Sequence, residues 1–160
     1  MKKATSFYMS EETQKLMNFL VHKEDTIPTR FIDLAIRAYL DGDHSVDERI
    51  LITKKSDPRF IKKTAFQTYM IDESDREELK AIALDIQAEL EEHHLEGMGC
   101  NMSQLLFWAV MQRCSKLAEK YPDEIMVGDE SLTDYRENQK KRLAAYYQKM
   151  QELSKSKETV

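Results

Sequence analysis

The sequence predicts a mostly α-helical fold with two short strands, laid out as one strand-helix-helix pattern used twice and followed by a last helix. Three observations predict it. The 160 residues include only four Gly and three Pro, and a third of them are charged, which suits helices joined by few turns. Residues 2–40 read as an alternating strand and two helices. The same order returns from residue 62 to about residue 117, and an internal repeat of this kind decides the fold.

Each element has its own signal. In the first strand, residues 2–9, Thr5, Phe7 and Met9 fall on one side and Ala4, Ser6 and Tyr8 on the other. Ser10 is the expected N-cap of a helix running to about Lys23, with Glu11 and Glu12 in its first turn and Leu16, Met17, Phe19, Leu20 and Val21 on its apolar side. Thr29 is the expected N-cap of the next helix, with a start at Ile27 as the alternative that Pro28 allows. Phe31 to Leu40 is apolar over more than one stripe, and Asp41-Gly42-Asp43 stops it. Glu48 to Thr53 reads as a short strand or a docked turn. Residues 62–71 form a second strand with basic residues at its start, and Asp72-Glu73 begin a helix as Ser10-Glu11 do. Its apolar positions are Leu79, Ile82, Ala83, Ile86 and Leu90, and it ends near His94. Ser103 is the expected cap of a helix reaching about Glu119, which Tyr121-Pro122 close. A loop over 123–130 leads to a helix over about 133–154, where Leu143, Tyr146, Tyr147, Met150 and Leu153 keep a three-four rhythm.

Composition narrows the function. No apolar run reaches the roughly 18 residues a membrane span needs, and no apolar signal core follows Met1-Lys2-Lys3, so a cytoplasmic location is expected. Cys100 and Cys114 read as free thiols. His93, His94 and Cys100 lack the second Cys or His pair that a zinc site requires. No glycine-rich phosphate loop or nucleophile motif is present, so no enzyme activity, catalytic residue, metal or cofactor is expected. The net charge is −5, but it is unevenly spread. Residues 72–96 carry ten acids and two bases, residues 54–63 five bases and one acid, and residues 134–157 seven bases and three acids. An acidic chain with basic patches can still present one face to a polyanion.

The two copies match best in their second helices, where Thr29-Arg30-Phe31-Ile32 parallels Ser103-Gln104-Leu105-Leu106 and Ala35-Ile36 parallels Ala109-Val110. With Lys2-Lys3 leading an alternating strand, Ser10-Glu11-Glu12, and Pro28-Thr29-Arg30-Phe31-Ile32 running into Ala35-Ile36-Arg37-Ala38-Tyr39-Leu40, the chain resembles the ribbon-helix-helix superfamily of DNA-binding proteins over residues 1–40 and 62–117. The resemblance implies a mostly α fold with a short two-stranded antiparallel ribbon: a tandem ribbon-helix-helix pseudo-dimer plus a C-terminal helix. Residues 1–42 would be the first unit, 43–61 a linker, 62–121 the second unit and 122–160 a C-terminal loop and helix. The linker, about 3.3 Å per extended residue, is long enough to span a small domain.

The resemblance further implies that alternate ribbon side chains enter the major groove of duplex DNA. From the first strand these are Ala4, Ser6 and Tyr8. Matching Tyr69-Met70 to Tyr8-Met9 gives Ala65, Gln67 and Tyr69 from the second. Giving Ile71 the place of Met9 turns out Phe66, Thr68 and Met70 instead. The first set is preferred because Gln67 can pair with adenine. Thr29-Arg30 and Ser103-Gln104 would clamp phosphates at helix N-termini, and Lys2, Lys3, Lys62 and Lys63 would add phosphate contacts. The reader set contains no Arg or Lys, a departure from what the family usually shows. The expected role is that of a sequence-specific regulator, a repressor, with a mobile element as one setting for its gene. The alternatives are an accessory DNA-binding protein of a conjugation complex, and an antitoxin-like interaction protein whose basic C-terminal helix self-associates or binds a protein partner.

Overall fold

The computed structural model describes residues 2–127 and 129–158, with the side chains of the last helix described as far as Lys155. Strand β1 (Lys2–Met9) leads helices α1 (Glu11–Lys23) and α2 (Pro28–Leu40). A single helical turn, α3 (Glu48–Leu51), lies in the connection. Strand β2 (Ala65–Asp72) then leads α4 (Glu73–Glu92) and α5 (Met102–Ala118). A small strand pair, β3 (Met126–Val127) and β4 (Glu130–Ser131), precedes α6 (Leu132–Glu158). The chain is therefore mostly helical with a small two-stranded antiparallel sheet, β1–β2, as expected, and β3–β4 is an addition that the 123–130 loop did not signal. It divides into two compact units, Met1–Leu117 and Ala118–Val160.

The helix starts follow capping chemistry, with two corrections. Ser10 caps α1, its hydroxyl accepting the Thr13 N–H at 3.2 Å, while Glu11 and Glu12 sit at the positive end of the helix. Asp72 caps α4 in the same way, accepting from the Ser74 N–H at 3.3 Å. Ile27, not Thr29, is the N-cap of α2, because Pro28 lacks an N–H and holds a helical φ, which suits the first helical position. Asn101, not Ser103, caps α5. The Gln104 N–H donates to Asn101 Oδ1 at 3.0 Å and the Asn101 N–H donates to Gln104 Oε1 at 2.7 Å, the reciprocal arrangement of a capping box.

In the ribbon, Ser6 stands opposite Thr68 at the centre, with Lys2 opposite Asp72 and Met9 opposite Ala65 at the ends. Opposed residues share a face. Phe7, Met9, Ala65, Tyr69 and Ile71 are buried on the inner face, and the rings of Phe7 and Tyr69 meet edge-on at 5.5 Å. The core is completed by Met17 and Leu20 of α1, Phe31, Ile32 and Ile36 of α2, Leu79 of α4, and Leu105, Leu106 and Phe107 of α5. Each such side chain contributes about 1.5–3 kcal/mol on burial. A one-residue slip would turn a whole strand's set outward, so this face fixes the register.

The connection is a docked turn rather than a strand. Ile50, Leu51 and Ile52 are buried. The backbone around them is tied to the α4–α5 junction, with the Thr53 N–H donating to Gly97 O at 2.9 Å and the Gly99 N–H to Leu51 O at 2.8 Å. Gly97 has φ +75, a conformation that disfavours a side chain. The indole N–H of Trp108 donates to Ser45 O at 2.9 Å, holding the start of the connection to α5.

Within the second unit, the Leu132 N–H donates to Ile125 O and the Thr133 N–H to Pro122 O, which seats the start of α6 on the preceding turn. Arg136 adds two bonds to the Glu119 carboxylate, at 2.6 and 3.1 Å. From Gln139 to Lys155 every side chain of α6 is exposed. No helix among the described residues is long and apolar enough to cross a membrane.

Candidate nucleic-acid interface

Beyond Lys2 and Asp72 at one end, the outer face of the ribbon carries six exposed side chains in three cross-strand pairs: Ala4 with Met70, Ser6 with Thr68, and Tyr8 with Phe66. Tyr8 and Phe66 are 53% and 54% exposed, and their rings meet edge-on at 5.4 Å. The sequence placed Ala4, Ser6 and Tyr8 on this face, and they lie there. The preferred set from the second strand does not. Ala65 and Tyr69 are buried and Gln67 is half-buried, all on the inner face, while Phe66, Thr68 and Met70 turn outward. The reason is packing. Ile71 takes the place of Met9 and Tyr69 that of Phe7, and both Met9 and Ile71 are fully enclosed. Aligning the caps would have found this: Ser10-Glu11 against Asp72-Glu73 sets Ile71 beside Met9, whereas the Tyr-Met match misaligns the strands by one residue. Gln67 is also committed elsewhere, its amide donating to Thr68 O at 3.0 Å and its carbonyl accepting from Gln14 at 3.3 Å.

The expected phosphate ligands divide. Lys2 and Lys3 start β1, while Lys62 and Lys63 precede β2, so the antiparallel pairing puts one lysine pair at each end of the ribbon. Lys2 pairs with Asp33 at 3.2 Å and Lys3 with Glu73 at 3.1 Å. Such exposed pairs are worth about 0–1 kcal/mol, so a phosphate can compete for these cations. Lys62 is exposed. Lys63 is half-buried, its ammonium 5.9 Å from the centre of the Phe60 ring, and burial lowers its pKa.

The two helix starts are unlike. At α2 no side chain caps the end, Thr29 is half-buried and Arg30 is exposed, so the first N–H groups and a guanidinium are presented together. At α5 the Gln104 side chain is not available as a clamp. It is buried and donates to Ile50 O and Gly99 O, both at 2.9 Å, besides accepting from Asn101. Ser103, half-buried, lines an open cleft of about 340 Å³ with Tyr8, Thr53, Phe60 and Lys63.

The cysteines are both free, and burial pushes the Cys100 thiol up to about 11 and the Cys114 thiol up to about 12. Neither thiol is a reactive group at neutral pH. No family model matches the chain, and no curated protein or solved structure matches it.

Proposed function

We propose that the protein is a sequence-specific double-stranded DNA-binding protein, a transcriptional repressor in its simplest use. Its two strand-helix-helix halves would act as a tandem ribbon-helix-helix pseudo-dimer within one chain. The observation that carries this reading is the antiparallel pairing of β1 with β2, with one face packed on helices and the other open. Two strands about 4.8 Å apart fit a major groove about 12 Å wide. In this reading Ala4, Ser6, Tyr8, Phe66, Thr68 and Met70 meet base edges. The start of α2, with Thr29 and Arg30, holds a phosphate. Lys62 and the exchangeable Lys2 and Lys3 supply further backbone contacts. The net charge of −5 and the carboxylates of Asp33 and Glu73 beside these lysines keep affinity modest and strongly dependent on salt. Retention of genomic duplex fragments at low salt tests it. Retention that weakens as salt rises and selects particular fragments is the expected result, and no retained duplex at low salt sinks the reading.

A second reading concerns α6 alone. Leu143, Tyr146, Tyr147, Met150 and Leu153 are 47–59% exposed, on a basic helix. A stripe of this kind suits another helix, in a second copy or in a protein partner. Sedimentation of the full chain beside a chain ending at Pro122 separates these uses. A dimer that becomes a monomer assigns the stripe to self-association.

A further inference from the structure

We infer that the ribbon selects its DNA through the 5-methyl groups of pyrimidines, a deepening that rests on the duplex-DNA reading above. The grounds are the side chains on the outer face and those missing from it. Bidentate recognition of guanine needs Arg or Lys, and that of adenine needs Asn or Gln. The outer face from Ala4 to Tyr8 and from Phe66 to Met70 has none of these, and Lys2, at the end of the same face, is paired with Asp33 of α2. The one amide on either strand, Gln67, lies on the inner face with its donor and acceptor engaged. The outer face offers a methyl at Ala4, a thioether at Met70 that is 41% exposed, an aromatic corner at Tyr8 and Phe66, and two small hydroxyls at its centre. In the major groove the apolar feature such side chains can match is the methyl on C5 of thymine. 5-Methylcytosine carries the same methyl at the same place, so the shared chemistry is a 5-methylpyrimidine.

The geometry gives the preference an order. Ser6 and Thr68 face each other at the centre and accept or donate to either kind of base edge, so they position more than they choose. The Tyr8–Phe66 corner and the Ala4–Met70 pair lie on either side of them and exclude water from whatever they cover. A buried methyl contributes about fourfold in affinity. Contacts at both ends of the ribbon therefore predict a loss of about tenfold or more when the methyls are removed.

The test compares one genomic fragment library prepared three ways, bound to the full chain at low salt. The first preparation has ordinary bases, the second has deoxyuridine in place of thymidine, and the third has 5-methyldeoxycytidine in place of deoxycytidine. The expected result is retention of the first, a loss of about tenfold or more for the second, and added retained fragments in the third. Equal retention of the first two overturns the inference while leaving DNA binding intact. Retention of none overturns the DNA reading and the inference with it. A loss with deoxyuridine and no gain with 5-methyldeoxycytidine assigns the contact to thymine. In the Phe66→Ala variant, whose changed side chain is exposed and outside the core, the ratio between the first two preparations should shrink by about fourfold. An unchanged ratio in Phe66→Ala and also in Met70→Ala overturns the inference.

Discussion

The first half of the larger unit, β1 with α1 and α2, and the second, β2 with α4 and α5, repeat one order of elements and differ in what their ends are for. α1 and α2 are thirteen residues each, while α4 is twenty and α5 seventeen. α2 begins at a proline with no side-chain cap and an exposed Arg30. α5 begins in a closed box, and the Gln104 amide reaches on to hold the connection. The second half thus carries packing tasks that the first does not. It anchors the 41–62 segment through Gln104 and Trp108, and at its helix start Asn101 Oδ1 takes up the Gln104 N–H. The proposed DNA contact is accordingly lopsided, with the phosphate clamp on the first half and the larger apolar readers, Phe66 and Met70, on the second.

The largest contrast is expected within β2. Ile71→Ala removes a fully buried side chain and should lower stability by about 2–5 kcal/mol in urea unfolding, whereas Met70→Ala, one residue away, should stay within about 0.5 kcal/mol. The reverse order would mean that the two faces are assigned wrongly. The helix starts come next. Gln104→Ala leaves the Ile50 and Gly99 carbonyls without their donor and should cost about 1–3 kcal/mol. Arg30→Ala should leave stability within about 0.5 kcal/mol and reduce the dependence of log K on log salt by about one. Equal effects on stability would erase the distinction between the two ends.

Smaller effects test the caps and the core. Ser10→Ala should cost about 1 kcal/mol through loss of the bond to Thr13. Thr29→Ala should cost much less, because Ile27 is the cap. Tyr69 gives the smallest change. Its hydroxyl is buried with no hydrogen-bond partner among the described residues. Tyr69→Phe should therefore leave stability unchanged or raise it by less than about 1 kcal/mol. Burial also lifts the Tyr69 pKa well above the ordinary 10.0. Above pH 10 the unfolded chain releases this proton while the folded chain keeps it, so stability is full below pH 10 and falls as pH rises beyond it. Tyr69→Phe should move the alkaline unfolding midpoint upward, read by circular dichroism.

Much of this architecture is legible in the residues. Ser10 with Glu11 and Glu12, the alternation of Thr5, Phe7 and Met9, and the turn signals around residues 25–28, 41–43 and 97–99 place most elements of the larger unit to within a few residues. Where the structure departs from the local pattern, the causes are physical. Two tyrosines before two methionines suggest an alignment, but Tyr8 is an outward residue and Tyr69 packs against Phe7. Both have the same chemistry, and only the caps distinguish their positions. Ser103 is a good capping residue by type, yet Asn101 and Gln104 satisfy each other three residues apart and displace it. The docking of Glu48–Leu51 depends on distant donors, the Gly99 N–H in the α4–α5 junction and the Gln104 amide of α5, which local pattern does not report. The β3–β4 pair is two residues per strand, too short for alternation to show.

In the proposed reading the outer ribbon face, and not another surface, meets duplex DNA. Titrating the full chain with a retained duplex and following backbone and methyl resonances by NMR tests it most directly. Shifts should concentrate at Ala4, Ser6, Tyr8, Phe66, Thr68 and Met70, with Thr29 and Arg30 following, while Ala65 and Ile71 on the inner face move little. Shifts confined to α6, or spread without preference for the ribbon, would contradict it.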